Sequence, residues 1–216
     1  MNKIIVIGAG GLGREIALLI EQINKVLPTW VIMGFLDDQA EVGSQIGNYS
    51  VLGSIDMAPT FHDAQFVFAI GSPQVKEKIY KILKDSVHFA TLIHPTALIG
   101  SRVSLGEGSV VCAYCVITED ISIGQQVLLN LSCTVGHDTV IEDFCSFMPA
   151  THISGEVHVH KSVYVGTGAK IINQVEIGEG SILGAGAVVS KSIPRYCTAV
   201  GIPAKPIKFH QIDSNS

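Results

Sequence analysis

Ile93-His-Pro-Thr-Ala-Leu-Ile99-Gly100-Ser-Arg-Val-Ser-Leu105-Gly106 opens a stretch in which every sixth residue, as far as Val189, is a branched aliphatic or Phe. The series continues through Val111, Ile117, Ile123, Leu129, Val135, Ile141, Phe147, Ile153, Val159, Val165, Ile171, Ile177 and Leu183, seventeen positions in phase. Gly often follows the aliphatic residue (Gly100, Gly106, Gly124, Gly136, Gly166, Gly178, Gly184), and a small or β-branched residue usually stands four places after it. A helix repeats at 3.6 residues and a strand at 2, so neither sustains a period of six. A coil of short strands that turns every six residues does, and a hexapeptide β-helix over 93–194 is expected.

Working outward, residues 1–92 follow different rules. Lys3-Ile-Ile-Val-Ile-Gly8 is a short β-branched run ending in Gly, as in a buried parallel strand. Gly8-Ala-Gly10-Gly11-Leu-Gly13 follows, then Ile16, Leu19, Ile20 and Ile23 at helical spacing. Further strands are expected at 30–36, 65–70 and near 89–93, and a helix at 75–83 with Ile79, Ile82 and Leu83 on one face. This β-α-β-β-α order is half of a doubly wound α/β nucleotide fold. His94-Pro95 marks the junction, since a residue before Pro is pushed toward extended geometry. Beyond the repeat, residues 195–216 read as loop, with Asp213–Ser216 a disordered tail.

Composition narrows the function. The 216 residues are 47% hydrophobic, 15% charged and 6% aromatic, which suits a core of aliphatic ladders. A net charge of −5 without a Lys/Arg cluster excludes a charge-driven grip on nucleic acid. No apolar run approaches membrane-spanning length. The five Cys form no paired zinc spacing, and Cys115, Cys133 and Cys145 fall in the small-residue slot, hence core filler. An odd Cys count without a signal peptide points to the reducing cytoplasm.

Gly8-x-Gly10-x-x-Gly13 lies between a strand and a helix, where glycines permit a tight turn and close approach of backbone to phosphate. Asp37 ends the second strand, where a ribose-binding acid sits in such folds. The alternative is a tight turn without ligand. A dehydrogenase is disfavoured because the half-domain lacks a second mononucleotide unit. Among eight His, His152, His158 and His160 fall in two different hexad slots without a carboxylate at metal spacing, and read as surface or intersubunit residues; no metal is expected. His137 follows Gly136 and precedes Asp138, so its side chain should leave the coil. It is either a surface residue or a general base.

Asn130-Leu-Ser-Cys-Thr-Val-Gly-His137-Asp138-Thr-Val-Ile-Glu-Asp-Phe144, Gly155, the tail Gly201-x-Pro203-Ala204-Lys205, and the N-terminal Gly8-Ala-Gly-Gly-x-Gly-Arg-Glu15 and Phe35-Leu-Asp-Asp38 resemble the sialic acid O-acetyltransferase group of hexapeptide sugar acyltransferases. That group includes the bacillosamine-pathway enzymes acting on a UDP-linked 4-amino sugar. The resemblance spans nearly the whole chain and implies a left-handed coil, a homotrimer, and acetyl-CoA in the groove between neighbouring coils. It implies His137 as general base, Asp138 as its orienting partner and Asn130 as a residue lining the site. Gly155, Gly184, Ala185 and Gly186 would give pantetheine a close path along the backbone, and Lys191 and Lys205 would meet the CoA phosphates. Gly10, Gly11, Asp37 and Gly71 would hold the nucleotide-sugar.

Direct acyl transfer from a thioester needs one group to take the nucleophile's proton, and an imidazole supplies about 100- to 10,000-fold this way. Four readings follow. The first is N-acetylation of a UDP- or dTDP-linked amino sugar. The second is O-acetylation of sialic acid or another hydroxyl compound, the third a non-catalytic trimeric scaffold, and the fourth a carbonic-anhydrase-like metal trimer. The phosphate-type loop favours the first.

Overall fold

The computed structural model describes residues 1–211. The expected tail at Asp213–Ser216 lies outside them. Strand β1 (Asn2–Ile7), helix α1 (Gly11–Val26) and strand β2 (Trp30–Leu36) form the expected opening unit. Two strands that the hydrophobic pattern did not suggest follow, β3 (Gln45–Ile46) and β4 (Tyr49–Gly53), paired antiparallel across a Gly47-Asn48 turn. Strands this short carry little periodicity; the Gly-Asn pair was the available signal. A 3-10 turn at Ile55–Thr60, strand β5 (Ala64–Phe68), helix α2 (Pro73–Leu83) and strand β6 (His88–Phe89) complete the domain, in sheet order β3-β4-β2-β1-β5-β6. Ile4, Ile5, Val6 and Ile7 are all fully buried, as expected for a central parallel strand covered on both faces.

From Leu92 the chain winds into a three-faced left-handed parallel β-helix. Each strand pairs with the one 18 residues on: Val111 with Leu129, Ile117 with Val135, Ile123 with Ile141. Face one carries the strands at 92–93, 110–111, 128–129, 146–147, 164–165 and 182–183. Face two carries those at 98–99, 116–117, 134–135, 152–153, 170–171 and 188–189, and face three those at 103–105, 121–123, 140–141, 158–159 and 176–177. The six-residue aliphatic series from Val111 to Val189 fills the interior, joined by Cys115, Cys133, Cys145, Ala169 and Ala187. Ile93, first in the series, is half exposed, because the coil has not yet closed around it.

Every sixth residue from 102 to 186 takes φ between 56° and 72°, and most of these are not Gly: Asp120, Ser132, Asp138 and Glu156 among them. An L-residue at such φ costs on the order of 1 kcal/mol. The ladder offsets this by continuing through the corners, with the Asp138 N–H donating to Glu119 O and the Glu156 N–H to His137 O. The Gly after each aliphatic residue does other work. A Cβ on Gly136 would stand 2.5 Å from Gly155 N, so glycine here lets successive coils close up.

Residues 195–211 are not the loop expected for them. Cys197–Val200 adds a parallel strand to face one, and Lys205–Phe209 returns antiparallel to it. The Ala204 N–H donates to Val188 O, tying this hairpin to the end of face two.

Helix α2 joins the two halves. Leu83 packs into the sheet side while Ile82 stays exposed, contrary to the expected apolar face. The helix's polar residues dock instead. Tyr80 Oη donates to Gln125 Oε1 at 2.7 Å, and Glu77 accepts from Lys161 Nζ at 2.7 Å and Ser162 Oγ at 2.8 Å. The Lys76 ammonium, fully buried, reaches Ser146 Oγ at 3.0 Å on face one. The N-terminal domain therefore sits on face one and on the edge between faces three and one.

Candidate active site

Gly10, Gly11, Asp37 and Gly71 lie just past the carboxyl ends of β1, β2 and β5, which are neighbours in the sheet. Ligands enter open α/β sheets at this end. Gly8 needs its φ of +109°, and a Cβ there would stand 2.8 Å from Ala69 O. Nothing lies within 4 Å of a Cβ built on Gly10, so the α1 N-terminus is open to a ligand. Asp37 is committed to the loop itself. Its Oδ2 accepts from the Ala9 N–H at 2.7 Å, and its Oδ1 from the Gln39 and Ala40 N–H groups at 2.8 and 3.0 Å. Burial raises its pKa, but these three donors outweigh that and hold the carboxyl below its ordinary value. Asp37 thus braces the glycine turn and keeps little accepting capacity for a ribose. A Cβ on Gly71 would stand 3.9 Å from Met148 Cε, so this crevice opens beside the edge between faces one and two.

His137 projects from the edge between faces two and three, as expected of an outward side chain, and is 62% exposed. Its Nδ1 lies 2.7 Å from Asp138 Oδ2, and the left-handed corner φ of 56° at Asp138 turns that carboxylate back toward the ring. With Nδ1–H donating to the carboxylate, the lone pair is left on Nε2, the arrangement a general base requires. The ring lies over Gly155, its neighbour one coil along, where a Cβ would stand 2.6 Å from Nε2. Gly155 therefore gives the imidazole its slot. Lys191 occupies the same column three coils beyond His137, roughly 14 Å away at the ~4.8 Å strand spacing.

The remaining expected residues sit elsewhere on the chain. Asn130 is buried at the edge between faces one and two, its Oδ1 accepting from the Leu131 N–H at 2.7 Å. Gly184, Ala185 and Gly186 follow the face-one strand at 182–183 and occupy that same edge. Lys205 is exposed at the start of the returning hairpin strand. The expected site residues of one chain thus fall on two different edges of the coil. Asn130, Gly184, Ala185, Gly186 and the nucleotide crevice lie along one edge; His137, Asp138, Gly155 and Lys191 lie along the next, a face's width away.

The histidines expected to be surface residues separate. His152 bonds Thr134 Oγ1 on face two. His158 and His160 converge with Glu142 on face three, a carboxylate 16 and 18 residues earlier that spacing within one strand does not reveal.

The sequence matches the family model for the PglD N-terminal domain over residues 3–83 and that for the bacterial transferase hexapeptide (six repeats) over 156–191. It is 30% identical over 217 residues to the GDP-perosamine N-acetyltransferase of Escherichia coli O157:H7, covering 96% of this chain and 97% of that one. The fold superposes on the acetyltransferase domain of PglB from Neisseria gonorrhoeae FA1090, solved with acetyl coenzyme A, with a TM-score of 0.87 and 31% identity over 96% of this chain and 100% of that one. It also superposes on PerB from Caulobacter crescentus, solved with CoA and GDP-perosamine, with a TM-score of 0.85 and 29% identity over 96% and 98% of the two chains. A coil edge bearing a free imidazole, a glycine-loop crevice and end-to-end similarity agree: the chain belongs to the hexapeptide-repeat family of acetyl-CoA-dependent nucleotide-sugar N-acetyltransferases.

Proposed function

We propose that the protein transfers the acetyl group of acetyl-CoA directly to the amine of a nucleotide-linked amino sugar, with His137 Nε2 taking the amine proton. The supporting observation is the His137–Asp138 pair, which leaves Nε2 unpaired over the bare backbone of Gly155. In this reading the Gly155 backbone lies alongside the thioester, and Lys191, farther along the same column, meets the CoA phosphates with Lys205. Gly10, Gly11 and Gly71 receive the sugar nucleotide, and Asp37 shapes that loop. UDP and dTDP suit this crevice, and the GDP-perosamine of the relatives adds GDP to the candidates.

The working unit in this proposal is a trimer. Two half-sites on different edges of one coil cannot close on each other. A copy that sets the Asn130–Gly186 edge against a neighbour's His137–Lys191 edge completes the site. Five free, buried thiols suit a reducing compartment, and we place the protein in the cytoplasm. No helix of the described residues is long and apolar enough to cross a membrane.

The test is thiol release from acetyl-CoA against a panel of UDP-, dTDP- and GDP-linked amino sugars. At least one amine should be acetylated and its hydroxyl counterpart not. Turnover restricted to hydroxyl acceptors would replace this reading with O-acetylation. Mixed trimers of His137→Ala chains with Gly10→Glu chains should regain activity that neither variant has alone; no recovery would confine the site to one chain.

A further inference from the structure

We propose that His158, His160 and Glu142 form a zinc-class divalent metal site on face three, separate from the acyl-transfer edge. Their ligand atoms all lie within 4.8 Å of one another. Glu142 Oε1 faces both rings, at 2.8 Å from His158 Nε2 and 3.1 Å from His160 Nδ1. Zinc with bonds of about 2.0–2.2 Å holds tetrahedral donors roughly 3.3–3.5 Å apart. Glu142 Oε1 would draw back from His158 Nε2 by about 0.6 Å and from His160 Nδ1 by less, and the two rings, stacked at 4.1 Å with 26° between their planes, would turn their edges toward the ion.

The surroundings are those of a built site. The second oxygen of Glu142 accepts from the Lys161 N–H at 3.0 Å, which fixes the carboxylate plane. The far nitrogen of His160, Nε2, lies 3.4 Å from Glu176 Oε2, giving the carboxylate–histidine–metal relay that orients metal-bound imidazoles. The ladder provides rigidity, because His158 pairs with Val140 on one side and Glu176 on the other. His160 and Glu176 also line a depression of about 530 Å³ with Ser192 and Arg195. That depression opens the His160 side of the cluster to solvent. The ion would cross-link two successive coils, with Glu176 supporting it from a third.

The experiment uses the full, tag-free chain. After equilibrium dialysis with Zn²⁺, elemental analysis should find one zinc per chain, and Co²⁺ should give the visible ligand-field spectrum of a low-coordinate N₂O site. Glu176→Gln retains all three ligands and should weaken zinc by about 10-fold or more. His158→Ala/His160→Ala should abolish retention, and His152→Ala should not change it. Absence of stoichiometric zinc in the wild-type chain, full retention by the double variant, or wild-type affinity in Glu176→Gln would each overturn the proposal. Acetyl transfer should survive chelation, since His137 stands on a different edge.

Discussion

His137 stands upright because residue 155 is glycine: a Cβ one coil along would sit 2.6 Å from Nε2 and 2.7 Å from Cε1. The contact is local in space and remote in sequence, the 18-residue interval of one full turn. It links the repeat's geometry to the chemistry, since the same ladder that stacks the coils sets the distance between ring and backbone. φ at Gly155 is not in the left-handed region, so alanine there is tolerated by the main chain and resisted only by the imidazole. Gly155→Ala is therefore expected to lower kcat by about 10- to 100-fold with little change in melting temperature. A variant with wild-type kcat would show that the ring's position over residue 155 is immaterial.

Removing the base tests the chemistry itself. His137→Ala should lower acetyl transfer by at least about 100-fold while circular dichroism and oligomeric state stay unchanged, because the side chain is exposed. Asp138→Asn should cost at least about tenfold in kcat by releasing the imidazole tautomer, with a smaller effect on KM. Steady-state thiol-release kinetics distinguish the two parameters, and unaltered rates in both variants would remove this edge from the mechanism.

Lys76 makes a prediction about pH. Burial pushes its ammonium down to about 7, far below the unfolded value of about 10.4. Below pH 7 both states are protonated, and the native state bears the full cost of a buried cation. Between pH 7 and about 10.4 the unfolded chain binds more protons, so this group's contribution to stability rises with pH. The rise amounts to roughly 5 kcal/mol over that window. Lys76→Met should remove it and be neutral or stabilising at pH 7. Denaturant unfolding of both proteins from pH 6 to 10 provides the check; parallel stability curves would mean that the native ammonium is not depressed.

The cysteines should prove chemically silent. All five are free and buried, and burial pushes Cys112 and Cys145 up to about 12, where thiolate is scarce at neutral pH. Each Cys→Ala variant that folds should retain full turnover, and iodoacetamide should leave the native enzyme active. Burst release of CoA without acceptor would indicate an acyl-cysteine intermediate instead.

The period of six by itself implies the solenoid, because only a coil with three short sides buries one aliphatic residue per side. It also put His137 outside the coil and Cys115, Cys133 and Cys145 within it. The β1 run, Gly8–Gly13 and Asp37 announced a nucleotide-type half-domain for a similar reason: strand, turn and helix there are contiguous, so local chemistry suffices. What tertiary structure decided involves partners one or more turns away. Glu142 reaches His158 and His160 from the previous coil, and Gly155 makes room for His137 from the next. Asp37 spends its oxygens on the loop from a neighbouring strand. Helix α2 buries Lys76 and Glu77 against the solenoid although its own period points Ile82 inward. Hydrophobic periodicity records which face of an element avoids water, and it holds no record of which polar groups meet when separate elements pack. Those meetings depend on register and docking, and they built the site.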